Sequence, residues 1–378
     1  MDVLLPEWSP RRALVLRWPW RPDIWPNAGR DAQAAVVQLL QTITQPLRQR
    51  GIRVELEVPG AYLAFVRTQV PQGVEVIASV YADIWIRDCA PFYVGPGAEP
   101  STHSGPERPF TMGDNLERHA VGRGAGIQYQ PTIDVRSYVT QFNGWAGLDT
   151  DFADDLSARD ELCHRFDLNP RKLPIVLEGG SIHTNGRGML VYIQQAVLDP
   201  GRNPLLTQGH LHRLLEHDFC TSRIVALDGG LASDETGGHT DNLMTFLTPS
   251  LALVSTPEHP GHPDYANAKA CADALREIGI EVIAAPQPEL TLSAAESRSI
   301  IKRSGVKYRP PGMPLTATYA NGIRVDDIYV VPQFGVPDDE RVTAAIKAAC
   351  PHLTVLTAPA RALLAGGGGW HCASHTVV

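Results

Sequence analysis

ALVLRW at residues 13–18 and DAQAAVVQLLQTITQPLRQR at 31–50 set the pattern for the whole chain. The first is a short apolar run ending at Pro19 and reads as a strand. The second has apolar residues three and four apart, the spacing of one helix face, with Pro46 marking an end or a kink. Strand-like runs recur as ADIWIRD at 82–88, PIVLEGG at 174–180, DNLMTFL at 241–247, ALVS at 252–255 and IYVVPQFG at 328–335. Helical stretches lie between them. DYANAKACADALREIG at 264–279 has Asp264 as a cap and Gly279 as a stop, and PDDERVTAAIKAAC at 337–350 opens with Pro and acids. Strands alternating with helices make the chain α/β or α+β. About five blocks of roughly seventy residues would each hold strands and one helix, a faint internal repeat without a shared motif.

A chain of 378 residues fits one large domain or two ordinary ones, and no linker divides it, so 1–378 reads as a single domain. Residues 95–126 are rich in Gly, Pro, Ser and charge, and read as a surface-loop insertion. Hydrophobic residues at 43% and charged residues at 20% argue against disorder. A net charge of −8 gives no general reason to bind nucleic acid or an anionic membrane. No apolar run approaches the ~20 residues of a membrane span, and the first residues lack the order of a signal peptide, so the expected location is cytoplasmic. Cys89, Cys163, Cys220, Cys271, Cys350 and Cys372 form no Cys-x-x-Cys pair, which points away from zinc ribbons and disulfide scaffolds.

Three segments carry chemistry. In DIWIRDCAP, Trp85, Arg87 and Asp88 stand at an expected strand end, where Asp88 also suits a turn. In DETGGHTDN, His239 and Asp241 are two apart, and an extended segment would point both to one face, although a surface loop with two polar residues fits equally. In LLAGGGGWHCASH, four glycines at 366–369 precede Trp370, His371 and Cys372. Such a run is costly in conformational entropy and a poor place for a packing cysteine, but it suits a close backbone approach to a ligand. A thiol, an imidazole and two carboxylates have one coherent task. Two acids hold a planar guanidinium, the thiolate attacks its central carbon, and the histidine moves protons.

The ordered set ALVLRWPWRPDIWP, WIRDCAP, FNGWAG, LEGGSIHTNGRG, RNP, GGHTDN, VVPQFGVPDDE and GGGGWHC resembles the agmatine deiminase family. That family is related to bacterial-type peptidylarginine deiminases within the pentein, guanidine-modifying superfamily. The resemblance implies a five-bladed, pseudo-symmetric α/β propeller with a central active site and no metal or organic cofactor. It implies Cys372 as nucleophile, His239 as general acid/base, and Asp88 and Asp241 as the clamp on the guanidinium. Glu178 is implied as a further active-site acid and Trp85 as the aromatic lining the channel. The implied reaction converts agmatine to N-carbamoylputrescine and ammonia, a step toward putrescine, through a covalent Cys-amidino intermediate.

Departures from the family pattern cluster around the expected substrate positions. Gly237 replaces an Asp two residues before the His, Gly369 an Asn and Trp370 an Ile. In TYANGI, Tyr319 and Asn321 remain while Gly322 and Ile323 replace aromatics, and Asp326 and Asp327 stand where Asn-Gly is usual. Other readings therefore stay open. They are a same-mechanism deiminase or amidinotransferase on another guanidino compound (an arginine derivative or peptidylarginine), and a non-catalytic binding propeller. A metal hydrolase built on His210, His212 and His217, or on His259 and His262, is a further class. A homodimer is compatible with the chain.

Overall fold

The computed structural model describes residues 1–97 and 135–378, so the insertion expected at 95–126 lies outside the described residues from 98 onward. Five sheets repeat one order: a strand antiparallel to its neighbour, then a helical crossover to a parallel strand. The crossover helices are α1 (Arg30–Gln49), α2 (Ala153–Arg165), α3 (Gln208–Asp218), α4 (Tyr265–Glu277) and α5 (Asp338–Ala349). Each joins two parallel strands, for example Ala13–Arg17 to Arg53–Val58 across α1, and Ile328–Gln333 to Thr354–Pro359 across α5. The last strand, Ser374–Val377, pairs antiparallel with Ala13–Arg17, so the C-terminus completes the sheet begun at the N-terminus. A two-stranded pair, Leu290–Thr291 with Pro314–Leu315, stands apart from this order.

Local sequence explains the elements. Leu39, Leu40, Ile43 and Leu47 of α1 are buried on one face against Leu14, Leu16, Val54 and Leu56 of the adjoining strands. Pro46 sits in the last turn of α1, where the helix is already ending. The acids Asp338, Asp339 and Glu340 fill the first turn of α5, favourable against its dipole. Asp339 also accepts from the backbone N–H groups of Phe334, Gly335 and Val336 and from the Tyr319 hydroxyl. Asp264 occupies the cap position of α4, but its carboxylate accepts instead from Ala232 N and Gln287 Nε2, tying α4 to neighbouring loops.

Two expected strands are corrected. ADIWIRD holds no strand; Ile86–Asp88 is a single 3₁₀ turn. In DNLMTFL the first residues form the helical turn Thr240–Leu243 and the strand begins at Met244. Both turns are buried, and a turn satisfies local backbone groups where no neighbouring strand is in reach.

These turns recur in a fixed place. The first, antiparallel strands of four sheets are Phe92–Pro96, Ile182–Thr184, Met244–Thr248 and Ile323–Val325, and the fifth is Ser374–Val377. Just before them stand Asp88, Glu178, His239 with Asp241, Asn321 and Cys372. Every candidate polar residue thus enters from the same position of a repeated unit.

A buried ion network joins the first two units. Arg17 pairs with Glu57 at 2.9 Å and with Asp155 of α2 at 2.8 Å. Arg165 of α2 reaches Glu57 at 2.8 Å and Glu55 at 3.0 Å. Glu57 is fully buried, and removing it leaves Arg17 with Asp155 alone and Arg165 with Glu55 alone. Glu57→Ala is expected to cost about 1–3 kcal/mol, read as a lowered urea-unfolding midpoint, because the buried Arg17 guanidinium loses one of its two acid partners. An unchanged midpoint would refute this.

Candidate active site

Gly180 shows how tightly the turns meet. A Cβ built on it would lie 2.7 Å from His239 Nδ1, 2.9 Å from Asp241 Oδ2 and 2.9 Å from Asp88 Oδ1. Only hydrogen fits there, and the three functional groups close around it.

Each charge has a partner. Asp88 Oδ1 accepts from Gly180 N at 3.0 Å and Oδ2 from Trp145 Nε1 at 2.8 Å, with His239 Nδ1 3.7 Å away. Glu178 accepts from Arg202 Nε at 2.7 Å, and its other oxygen lies 4.0 Å from His239 Nε2. Asp241 Oδ2 bonds His371 Nδ1 at 2.7 Å and accepts from the Cys372 thiol at 3.3 Å. Asn321 Nδ2 donates to Cys372 Sγ at 3.0 Å, and its Oδ1 accepts from the backbone of His371 and Cys372. Asp234 fixes the neighbouring loop by accepting from His239 N and Asn242 Nδ2.

Four buried atoms in this centre have no hydrogen-bond partner: Glu178 Oε2, Asp241 Oδ1 and both ring nitrogens of His239. Burial without a partner is costly, so the centre is built to receive something with N–H donors and positive charge. An open cavity reaches it, lined by Trp85, Asp88, Trp145, His239, Gly366–Gly368 and Cys372. Ile24, Leu148 and Val306 continue it as an apolar slot, and Asp83, Asp149, Glu235, Lys307 and Arg309 stand on its walls.

The electrostatics follow from burial and neighbours. Burial, with Asp241 and Glu178 nearby, pushes Asp88 up to about 6 against the opposing His239. Its ionisation therefore costs the folded state: its contribution is complete below pH 4 and is lost as pH rises through about 6. Burial pulls His239 down, but Asp88, Glu178, Asp234 and Asp241 outweigh it and lift its pKa above the ordinary value. Asp241 is held low despite burial because His371 bonds it. Burial, then Asp241 and Asp88, raises the Cys372 thiol well above the ordinary value.

The glycine run has a packing reason. A Cβ on Gly366 would lie 2.3 Å from the Trp25 ring, on Gly368 2.8 Å from Trp85, and on Gly369 2.6 Å from Asn321 Oδ1. The backbone passes close against two indoles, themselves packed 5.7 Å apart, and delivers Cys372 to the cavity.

The structure brings together Asp88, Glu178, His239, Asp241, Cys372 and Trp85. It does not bring Trp370, Gly237 or Gly369 to the cavity wall. Trp370 is fully buried in the core, because the turn that exposes Cys372 rotates its neighbour inward. Gly237 has φ +91° and faces Arg202, and Gly369 backs onto Asn321. Nor do His239 and Asp241 share an extended segment, since Asp241 lies within the helical turn. Sequence reasoning missed Trp145, Arg202 and Glu7, and it named Asn321, Arg87 and His371 without giving them a role. His371 donates or accepts at both nitrogens, to Asp241 and to Glu7 at 3.0 Å, and Glu7 pairs with Arg87 at 2.6 Å. The available signal was their place inside the quoted motifs FNGWAG, TYANGI, RNP, WIRD and WHC, except for Glu7, which lies in none of them.

Among the described residues no group of three His, Cys, Asp or Glu side chains could hold a metal ion. His212 bonds the Tyr192 hydroxyl at 3.1 Å and His217 lies 3.2 Å from Asp218. No helix among the described residues is long and apolar enough to cross a membrane.

The model of the Porphyromonas-type peptidyl-arginine deiminase family matches residues 3–377. The agmatine deiminase of Pseudomonas putida is 28% identical, covering 97% of this chain and 92% of its own. That of Pseudomonas savastanoi pv. phaseolicola is 29% identical with the same coverage, 97% and 92%. The solved agmatine deiminase of Enterococcus faecalis superposes with a TM-score of 0.82 at 21% identity, covering 100% of this chain and 95% of that one. The C. jejuni agmatine deiminase gives 0.71 at 20%, covering 100% and 96%. The structural likeness establishes a shared mixed α/β fold.

Because the free thiol is held protonated, Cys372 is expected to react slowly with iodoacetamide at pH 7. Its rate should climb about tenfold per pH unit toward pH 9, as the thiolate fraction does. Peptide mass spectrometry reads this, with half-buried Cys220 as internal reference. Equal rates at pH 6 and 9 would contradict a raised thiol.

Proposed function

The chain belongs to the Porphyromonas-type peptidyl-arginine deiminase family, and from that premise we propose that it is a guanidine deiminase hydrolysing agmatine to N-carbamoylputrescine and ammonia. The observation that carries this is the convergence of Cys372, His239 and Asp88 on one open cavity, with Glu178 and Asp241 beside them and one oxygen of each unsatisfied. A guanidinium supplies five N–H donors and the positive charge those oxygens lack.

In the proposed mechanism Asp88 and Asp241 hold the guanidinium while Glu178 steadies His239. The substrate's positive charge lowers the Cys372 thiol as it binds, and the thiol proton leaves to solvent through the open cavity. The thiolate adds to the guanidinium carbon. The C–N bond breaks, His239 gives its proton to the departing ammonia, and an amidino-thioether remains on Cys372. His239 takes a proton from water, hydroxide adds to the same carbon, and the C–S bond breaks as the new hydroxyl loses its proton to the released ammonia or solvent, giving the ureido product and thiolate. The raised pKa of His239 suits the donating step.

Agmatine as substrate is supported by the names of the relatives and by the cavity beyond the reacting centre. Trp85, Trp145 and Leu148 offer apolar surface to a methylene chain, and Asp83 and Asp149 offer acids to a terminal ammonium. Lys307 and Arg309 favour a second reading, a guanidino acid whose carboxylate they would bind. Glu235, 3.4 Å from Lys307 and 2.7 Å from Arg309, already pairs with both and offsets one of the two charges. The departures from the family pattern bear little on substrate choice. Gly322 is confined by Val330 and Tyr329, Ile323 is in the core, and Asp327 pairs with Arg50.

We read the five sheets as five blades of one closed propeller and residues 1–378 as one catalytic domain, supported by the repeated strand order and the joining of the two termini. The six unpaired cysteines support a reducing compartment such as the cytoplasm.

Purified protein is expected to release ammonia and ureido product in equal amounts from agmatine, faster than from arginine, 4-guanidinobutyrate or an arginyl peptide. Cys372→Ala should abolish it. Turnover of another guanidine alone would move the substrate and keep the chemistry; retained activity in Cys372→Ala would sink the mechanism. Gly180→Ala is a second expectation. It should fold, judged by circular dichroism, yet lose at least about a hundredfold in kcat, since a misplacement near 1 Å has that effect.

A further inference from the structure

The centre has a second face. Arg87 and Asp88, and His371 and Cys372, are consecutive pairs whose members line different cavities. Asp88 and Cys372 line the substrate cavity. Arg87, Gly179 and His371 line another, of about 80 Å³ measured as space for water centres, room for several waters or one small ion. Gly180 and its surrounding carboxylates form part of the partition between them.

This second cavity is lined by buried polar atoms that lack partners. Arg11 is 9% exposed and lines it; its Nη2 donates to Pro6 O at 2.6 Å, while Nε and Nη1 have no partner. Among the described residues no carboxylate forms an ion pair with Arg11. Glu7, the acid in the lining, is already held by Arg87 at 2.6 Å and His371 at 3.0 Å. His375 uses Nε2 on the Tyr93 hydroxyl at 3.0 Å and leaves Nδ1 without a partner. His183 stacks on His371 at 5.1 Å and leaves Nε2 without one. The lining therefore holds two guanidiniums against one carboxylate, and a buried guanidinium without an anion is costly. Burial pulls Arg11 down to about 10, which still leaves it charged at neutral pH.

We propose that this cavity is a binding site for a small oxyanion, carboxylate or phosphate, held by Arg11 with Arg87 and His375. Both ligand types present the same chemistry: oxygens in reach of guanidinium and imidazole N–H groups. The site uses neither Cys372 nor His239 and does not depend on the deiminase reading.

Isothermal titration of the wild-type protein with phosphate, acetate and chloride at constant ionic strength tests it. Saturable binding of phosphate is the expected result if the ligand is a phosphate-type ion, and of acetate if it is a carboxylate. Arg11→Gln should weaken that binding at least about tenfold, the usual loss for one charge-assisted hydrogen bond. Chloride binding alone, or none of the three, would overturn the proposal. So would binding that Arg11→Gln leaves within twofold. A selenate-soaked crystal of the wild type covers the case in which Arg11→Gln fails to fold. An anomalous peak within hydrogen-bond distance of Arg11 supports the site, and peaks only elsewhere refute it.

Discussion

A carboxylate taken out of water must find a cation or several N–H donors, and three of them meet at the centre of this protein. Arg202 answers Glu178, His371 answers Asp241, and Gly180 N with Trp145 Nε1 answers Asp88. None of these partners is a neighbour in sequence of the acid it serves. The pairing therefore holds the turns in register, and loss of any partner would leave an acid to protonate or to move. The pairing is also incomplete by two carboxylate oxygens and one imidazole. That deficit suits the centre to a cation carrying N–H groups, and it underlies the chemistry proposed for Cys372.

The fold supplies the geometry by repetition. Each unit presents the residue before its first strand, so one position contributes an acid in two units, a histidine with an acid in the third, an amide in the fourth and a thiol in the fifth. Small residues at the crowded points make this convergence tolerable. Gly180 admits three polar side chains, and Gly366–Gly369 admit Trp25, Trp85 and Asn321.

Much of this was legible in the sequence. The helices at 31–50, 264–279 and 337–350 carry their apolar faces and terminal residues openly, and they form close to those bounds. The acids, histidine and thiol stood out because polar groups beside glycines are poor core material. Partners were harder to see. His371 and Trp370 are adjacent, yet the turn turns one toward Asp241 and the other into the core, and only tertiary packing decides which. Trp145 adopts φ +54°, a backbone state that no propensity favours for an indole and that its bond to Asp88 helps to hold. The second cavity was equally hidden, because Arg11, His183 and His375 come from distant segments.

The central claim is that Cys372 forms a covalent amidino adduct with the substrate. Acid quench of the protein within its first turnovers of agmatine, followed by peptide mass spectrometry, addresses it most directly. The account predicts a transient mass increase on the peptide holding Cys372 equal to agmatine less ammonia. Early release of ammonia with Cys372 unmodified and an adduct on a different residue would contradict it.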